Sequence, residues 1–223
     1  MTLFEGRDLL CVRGERRVFE NLDFAIRPGG LLVLTGPNGS GKSSLLRVMA
    51  GLLRPARGAL YWDGAPVAGD SEALAARLHY LGHLDAVKPV LTAAENLAFW
   101  AALHGRGAAE VARALAAFDL TALAEVPGRM LSAGQKRRVA LARLLAAPAG
   151  VWLLDEPTVG LDTASLARLN TAIAEHRGTG GRVIATTHVP LDAEGAENLD
   201  LGAFAVAPGE AHAAWGAAEG GAW

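Results

Sequence analysis

The chain has 223 residues, is 51% hydrophobic and carries a formal net charge of −2. That length and apolar content support one domain with a substantial core, and the charge balance excludes the basic footprint of a nucleic-acid binder. Its single cysteine, Cys11, excludes an internal disulfide and suits a reducing compartment, where it reads as a small apolar residue on a strand.

Residues 2–28 alternate in short segments, Leu9–Val12, Val18–Phe19 and Leu22–Ile26, broken by turn signals at Gly14-Glu15 and Pro28-Gly29-Gly30. This spacing predicts antiparallel strands. The first residues, Met1 to Asp8, lack the basic-then-apolar pattern of a signal peptide. A run of about 18 apolar residues is also missing, the nearest stretch, Leu144 to Leu154, being broken by Pro148 and Gly150. The expectation is a chain that stays in the cytosol and meets a membrane only through a partner.

Leu31–Thr35 reads as a buried strand and leads into Gly36-Pro37-Asn38-Gly39-Ser40-Gly41-Lys42-Ser43, which fits the phosphate-cradling pattern G-x-x-x-x-G-K-[ST]. Ser44 to Ala50 then reads as a helix stopped by Gly51. Strand, glycine-rich loop and helix are the setting this pattern needs. Glycines let backbone N–H groups curl around an anion, and the helix N-terminus adds unpaired donors and a partial positive charge. Lys42 is expected to reach the β- and γ-phosphates of a nucleoside triphosphate, and the Ser43 hydroxyl to ligate Mg²⁺. Ser44 and the rest of the loop are expected to line the nucleotide.

Gly58–Gly64 reads as another antiparallel piece, residues 70–78 as a short helix and Leu78–Leu81 as a strand. From about residue 84 the character changes. Leu91–Leu103 and Ala108–Phe118 are helical by spacing, the first with Thr92 and Glu95 placed as a capping box. Gln135–Ala147 is helical again. The block 84–147 is therefore expected to be a helical subdomain inserted in a single α/β domain spanning 2–207. Leu131-Ser132-Ala133-Gly134-Gln135 precedes its last helix. Such a segment is either a plain helix cap or a second anion site. Since one phosphate loop suffices for one nucleotide, the second reading assigns it to a nucleotide held by a different subunit.

Val151–Leu154 reads as a buried strand ending in Asp155 and Glu156, at the crevice where open α/β sheets bind ligands. Asp155 is placed to hold Mg²⁺ through a water, and Glu156 to orient and polarise the water that attacks the γ-phosphate. Ser165–His176 reads as a helix and Arg182–Thr187 as a strand, after which His188 is a candidate γ-phosphate sensor. Residues 208–223 are low in complexity, and disorder is expected there.

Taken together, these residues resemble the ATP-binding cassette family, the nucleotide-binding subunits of ABC transporters. The likeness runs from about residue 2 to 207 and rests on motifs in the family's order: the loop 36–43, the signature 131–135, the strand with its acids 151–156, Gly160-Leu161-Asp162, and His188. It implies the α/β P-loop NTPase fold of ABC ATPases, with a mainly parallel core sheet, an antiparallel β subdomain and the inserted helices. It also implies hydrolysis of ATP with Lys42, Glu156 and His188 in catalysis. A head-to-tail dimer of two copies is implied as well, in which Ser132, Gly134 and Gln135 touch the partner's nucleotide and Asp162 works across the interface. The helical subdomain would dock onto a membrane subunit. Two positions depart from the family pattern. Arg13 stands where an aromatic ring usually precedes the glycine at position 14, and a guanidinium plane can also stack on a base. His83 stands where glutamine usually senses Mg²⁺ and the membrane partner, which makes that contact pH-sensitive.

Within the family, Leu9–Arg16, Tyr80–His83, Leu91–Leu97, Leu131–Arg143 and Thr186–His188 look like the ATP-binding subunits of the bacterial cytochrome c maturation pathway. That narrower likeness implies a complex with integral membrane subunits of the pathway, on the cytoplasmic face of the inner membrane. It implies ATP hydrolysis coupled to haem export or to release of a haem chaperone. Three rival readings stand beside it: an exporter ATPase for another substrate, a soluble ABC-type regulator of DNA or ribosomes, and a small-molecule kinase. The second has no room for a second cassette in 223 residues, and the third leaves the signature and His188 unexplained.

Overall fold

The computed structural model describes residues 3–67, 71–187, 191 and 194–205. His188 and the expected disordered tail, 208–223, lie outside the described residues. β1 (Phe4–Arg13) and β2 (Arg16–Ile26) form an antiparallel hairpin around Gly14, and β3 (Leu31–Thr35) and α1 (Lys42–Met49) flank the phosphate loop. β4 (Arg57–Trp62) and β5 (Ala65–Pro66) return to the hairpin, and α2 (Ser71–Arg77) leads into β6 (Leu78–Leu81). Three helices follow, α3 (Ala93–Leu103), α4 (Ala108–Ala117) and α5 (Ala133–Ala146). The chain then runs through β7 (Val151–Asp155), α6 (Thr163–Gly178), β8 (Arg182–Thr186) and β9 (Ala196–Asp200).

The strands make two sheets: a four-stranded antiparallel one, β2-β1-β4-β5, and a five-stranded parallel one, β6-β7-β8-β3-β9. Every residue of β7 and β8 is buried, as a parallel sheet covered on both faces requires. Successive side chains point to opposite faces. Trp152, Leu154, Val183 and Ala185 join the core formed with α3, α4, α5 and α6. Val151, Leu153, Ile184, Leu32 and Leu34 join the core formed with α1 and the antiparallel sheet. Burying each of the Val, Leu and Ile side chains contributes roughly 1.5–3 kcal/mol, so the sheet is the plate on which both cores are built.

Helices α3 and α4 bring Leu97, Ala101, Val111, Ala114 and Phe118 into the same core as the sheet's Trp152 face. The capping box at α3 is formed: Glu95 N–H donates to Thr92 Oγ1 at 3.1 Å, and Thr92 N–H to Glu95 Oε2 at 2.7 Å. α5 begins at Ala133, earlier than the expected Gln135, so Gly134 and Gln135 sit in its first turn. Cys11 is buried on β1 with a free thiol, and burial pushes its pKa up. β9 was not expected. Its polar run Ala-Glu-Asn-Leu-Asp lies half exposed at the sheet edge beside β3, where a strand is held by backbone pairing and needs no apolar side chains. Among the described residues, no helix is long and apolar enough to cross a membrane.

Candidate functional site

Strand order creates the site. β7, β8 and β3 lie side by side, in a register that sets Asp155 opposite Thr186 and Thr186 opposite Leu34. Three carboxyl ends therefore converge, and the phosphate loop grows from one of them. Gly41, the residue before α1, has φ of 101° and supplies no side-chain cap, so the first N–H groups of the helix remain available to an anion. A Cβ on Gly41 would come within 2.6 Å of Val18 Cγ1 and 2.9 Å of Phe19 Cδ1. Glycine there lets β2 press directly against the loop.

The resulting cleft has a volume of about 480 Å³. Lys42, Ser43, Ser44, Asp155, Glu156 and His83 line it together with the loop residues Asn38, Gly39 and Gly41. Arg13, Arg16 and Val18 of the hairpin, with Val159, complete its wall. Arg16 and Val18 carry no motif; the hairpin turn that sets Arg16 opposite Arg13 brings the start of β2 to the cleft. Gly36, Pro37 and Ser40 belong to the loop without lining the cleft. Lys42 Nζ folds back over the loop and donates to Gly36 O at 2.7 Å and Pro37 O at 3.2 Å. These carbonyls hold the ammonium where a phosphate would meet it.

The two acids are held differently. Ser43 Oγ donates to Asp155 Oδ1 at 3.0 Å, and Thr186 Oγ1 donates to the same oxygen at 2.9 Å. Asp155 is buried, so these hydroxyls replace the water its carboxylate has lost. Ser43 Oγ and Asp155 are hard oxygen donors side by side, a pair that could hold Mg²⁺, which keeps most of its ligands as water and phosphate oxygens. Glu156 turns out of the strand with φ of 49°, in the left-handed region that non-glycine residues avoid. Its N–H donates to Thr186 Oγ1 at 2.8 Å and Thr186 O at 3.1 Å, and its carbonyl accepts from Arg137 Nη2 at 2.6 Å. Neither Thr186 nor Arg137 stood out in the sequence as a partner of the acids.

Among the described residues, the remaining expected ones, Ser132, Gly134, Gln135 and Asp162, do not line this cleft. Ser132 and Gln135 close a capping box on α5: Ser132 N–H donates to Gln135 Oε1 at 2.8 Å, and Gln135 N–H to Ser132 Oγ at 3.3 Å. Gly134 faces the loop of Gly160, whose carbonyl is 3.6 Å from the position of a Cβ. Asp162 caps α6 through Ser165 N–H at 2.7 Å, and hydrogen bonds from the Ser165 backbone and hydroxyl hold its carboxyl below the usual carboxylate range. Within one chain, the 131–135 segment and Asp162 are thus not brought to the phosphate loop.

An ammonium, a hydroxyl and two carboxylates facing a bare helix N-terminus define a phosphate-loop, nucleotide-binding ATPase domain. The ABC transporter family model matches residues 19–159, and the chain belongs to that family. It is 60% identical over 94% of its length to the cytochrome c biogenesis ATP-binding export protein CcmA of Rhodospirillum rubrum, covering 90% of that relative. The protein of the same name from Paramagnetospirillum magneticum is 59% identical over 92% of the chain and is covered to 96%. Among solved structures, a putative ABC transporter ATP-binding protein from Pyrococcus furiosus matches with a TM-score of 0.79 at 27% identity, over 92% of this chain and all of that one. An ATP-binding cassette solved as a dimer in a post-hydrolysis state with ADP and Pi matches at 0.75 and 26% identity, over 89% of this chain and 95% of that one.

Proposed function

We propose that this chain is the ATP-hydrolysing subunit of a cytochrome c biogenesis export system, coupling hydrolysis to haem export or haem-chaperone release. The observation that carries this reading is 60% identity to a protein so named, sustained over 94% of the chain. The cleft supplies the matching chemistry.

ATP lies with its triphosphate on the loop Gly36–Ser44. Lys42 exchanges the carbonyls of Gly36 and Pro37 for the β- and γ-phosphates, and the N–H groups at the start of α1 face the same oxygens. Mg²⁺ bound beside Ser43 and Asp155 supplies charge neutralisation at the phosphate oxygens. Glu156 accepts a hydrogen bond from the attacking water and aligns it with the γ-phosphorus. The new P–O bond forms as the bridging bond to ADP breaks, so the protein acts mainly by positioning and charge stabilisation. His188 senses the γ-phosphate. Arg13 stacks on adenine, and His83 senses the metal and the membrane partner from the cleft's edge.

The cap geometry supports a head-to-tail dimer of two copies. Ser132, Gly134 and Gln135 stand at the α5 N-terminus and do not line their own chain's cleft, which suits them to the partner's nucleotide, and Gly134 lies beside the Gly160 loop that leads to Asp162. Closing on ATP and reopening after phosphate release is the work delivered to integral membrane subunits of the pathway at the cytoplasmic face of the inner membrane. Purifying the tagged chain from detergent extracts and identifying its companions tests this. Recovery of integral membrane proteins of cytochrome c maturation, with loss of holo-cytochrome c when the chain is deleted, is expected. Recovery of none, with holo-cytochrome c at the normal level, sinks the reading.

A further inference from the structure

We infer that Arg137 is a positioning residue for hydrolysis: its guanidinium clamps the backbone of Glu156 and ties it to the loop that carries His83. The inference rests on the reading of Glu156 as the residue that orients water. Arg137 lies on α5 just past the Ser132 cap, with its side chain 7% exposed. One edge of the fork, Nη2, donates to Glu156 O at 2.6 Å. The other, Nη1, donates to Asp85 Oδ1 at 3.0 Å, and longer contacts of 3.5 Å reach Gly82 O and Asp155 O. A single buried side chain thus joins the signature helix, the loop after β6 and the end of β7.

The grip on Glu156 matters because of that residue's backbone. Its φ of 49° is a conformation L-residues avoid, so it persists only where neighbours hold it. Thr186 holds the N–H side of the residue, at 2.8 Å and 3.1 Å, and Arg137 holds the carbonyl side at 2.6 Å, beside a longer bond from Val159 N–H at 3.3 Å. Rotation between those two anchors swings the carboxylate, and displacement of about 1 Å at a reacting centre costs on the order of 100-fold in rate. A planar guanidinium suits the task because its two nitrogens are rigidly linked, so the position of Asp85 is transmitted to Glu156. A lysine ammonium at this position would reach one anchor at a time. Movement of the His83 loop or of α5 would therefore reach the water-orienting carboxylate through Arg137.

The test compares Arg137→Met, Arg137→Lys, Asp85→Asn and the double variant R137M/D85N in the full-length chain. Steady-state ATP hydrolysis, titration with a fluorescent ATP analogue, and amide hydrogen exchange are measured. R137M is expected to lower kcat about ten-fold or more, with KM and nucleotide affinity within about two-fold, since the phosphate loop is untouched. R137K recovers part of kcat. D85N lowers kcat less, and R137M/D85N turns over no more slowly than R137M, because the two residues act as one unit. Parental kcat in R137M overturns the proposal, as does a loss explained by KM or independent multiplication of the two effects. Exchange over residues 151–159 reads the clamp without turnover: it must quicken in R137M and D85N while exchange over 36–44 is unchanged. Equal protection at 151–159 overturns the proposal even if the parental chain is inactive, an outcome that counts separately against the ATPase reading. Should R137M fail to fold, D85N, at the partly exposed end of the pair, decides between the same two outcomes.

Discussion

Thr186 and Asp155 face each other across the β7–β8 register, and the threonine hydroxyl donates to Asp155 Oδ1 at 2.9 Å. The same hydroxyl accepts the N–H of Glu156 at 2.8 Å. One oxygen at the end of β8 therefore sets both acids, and Ser43 meets Asp155 on the same carboxylate oxygen from the phosphate-loop side, 112 residues earlier in the chain.

Thr186→Val keeps the branched shape and removes that oxygen. The buried Asp155 carboxylate loses a donor, which costs about 1–3 kcal/mol of stability. Urea unfolding at neutral pH measures the loss. Hydrolysis falls with it, because Glu156 is then held on its N–H side by Thr186 O alone.

Glu156→Gln preserves the shape of the side chain and removes its negative charge. ATP binding is expected to stay near parental while turnover falls about 100-fold or more, and ATP should then trap a closed dimer. Sedimentation with and without ATP reads the dimer. Turnover at the parental rate would remove Glu156 from catalysis.

Gly41→Ala places a methyl against Val18 and Phe19 at a φ of 101°. The strain, about 1–3 kcal/mol, is relieved by moving the loop off β2, which disturbs the N–H cradle. Nucleotide affinity should drop about ten-fold or more, with a lower midpoint of thermal unfolding. Titration calorimetry and calorimetric melting separate the two effects.

Acid should destabilise the fold through two histidines, His79 buried and His176 half-buried. His79, whose ring meets the carbonyl of Ala147, has its pKa pushed from 6.5 to about 4, chiefly by burial and secondarily by the nearby charges of Arg143, His104 and His176. His176 lies flat on Trp152, ring centroids 3.9 Å apart, and burial lowers its pKa to about 4 as well. Both groups bind a proton more weakly folded than unfolded. Their contribution is full above about pH 6.5 and is lost as pH falls toward 4. For His79 the loss is on the order of 3 kcal/mol. Urea unfolding at a series of pH values measures the slope, and His79→Gln should flatten it.

Local chemistry explains how much of this was legible beforehand. The phosphate loop, the strand ending in Asp155-Glu156 and the Thr92–Glu95 capping box each occupy one contiguous stretch, so residue type and spacing sufficed. The hairpin turn at Gly14 and the buried strands β3, β7 and β8 were readable for the same reason. β9 was not, because an edge strand of polar residues leaves no hydrophobic pattern. Arg137 looked like one of three basic residues in a helix's first turns; only packing shows it buried against Glu156 and Asp85. The 131–135 segment read as either a helix cap or a site for another subunit's nucleotide, and the family resemblance favoured the second and added Asp162, whose local duty as a helix cap gave no hint of that role.

Residue type and short-range spacing were enough to say that this chain cradles a triphosphate and offers a carboxylate pair beside it, because those functions need particular atoms a few positions apart. How the pair is held was decided by the parallel strand order, which brings residues 43, 155, 156 and 186 to one edge. Hydrogen bonds between distant segments depend on register and burial, and these are properties of the packed sheet rather than of any stretch within it.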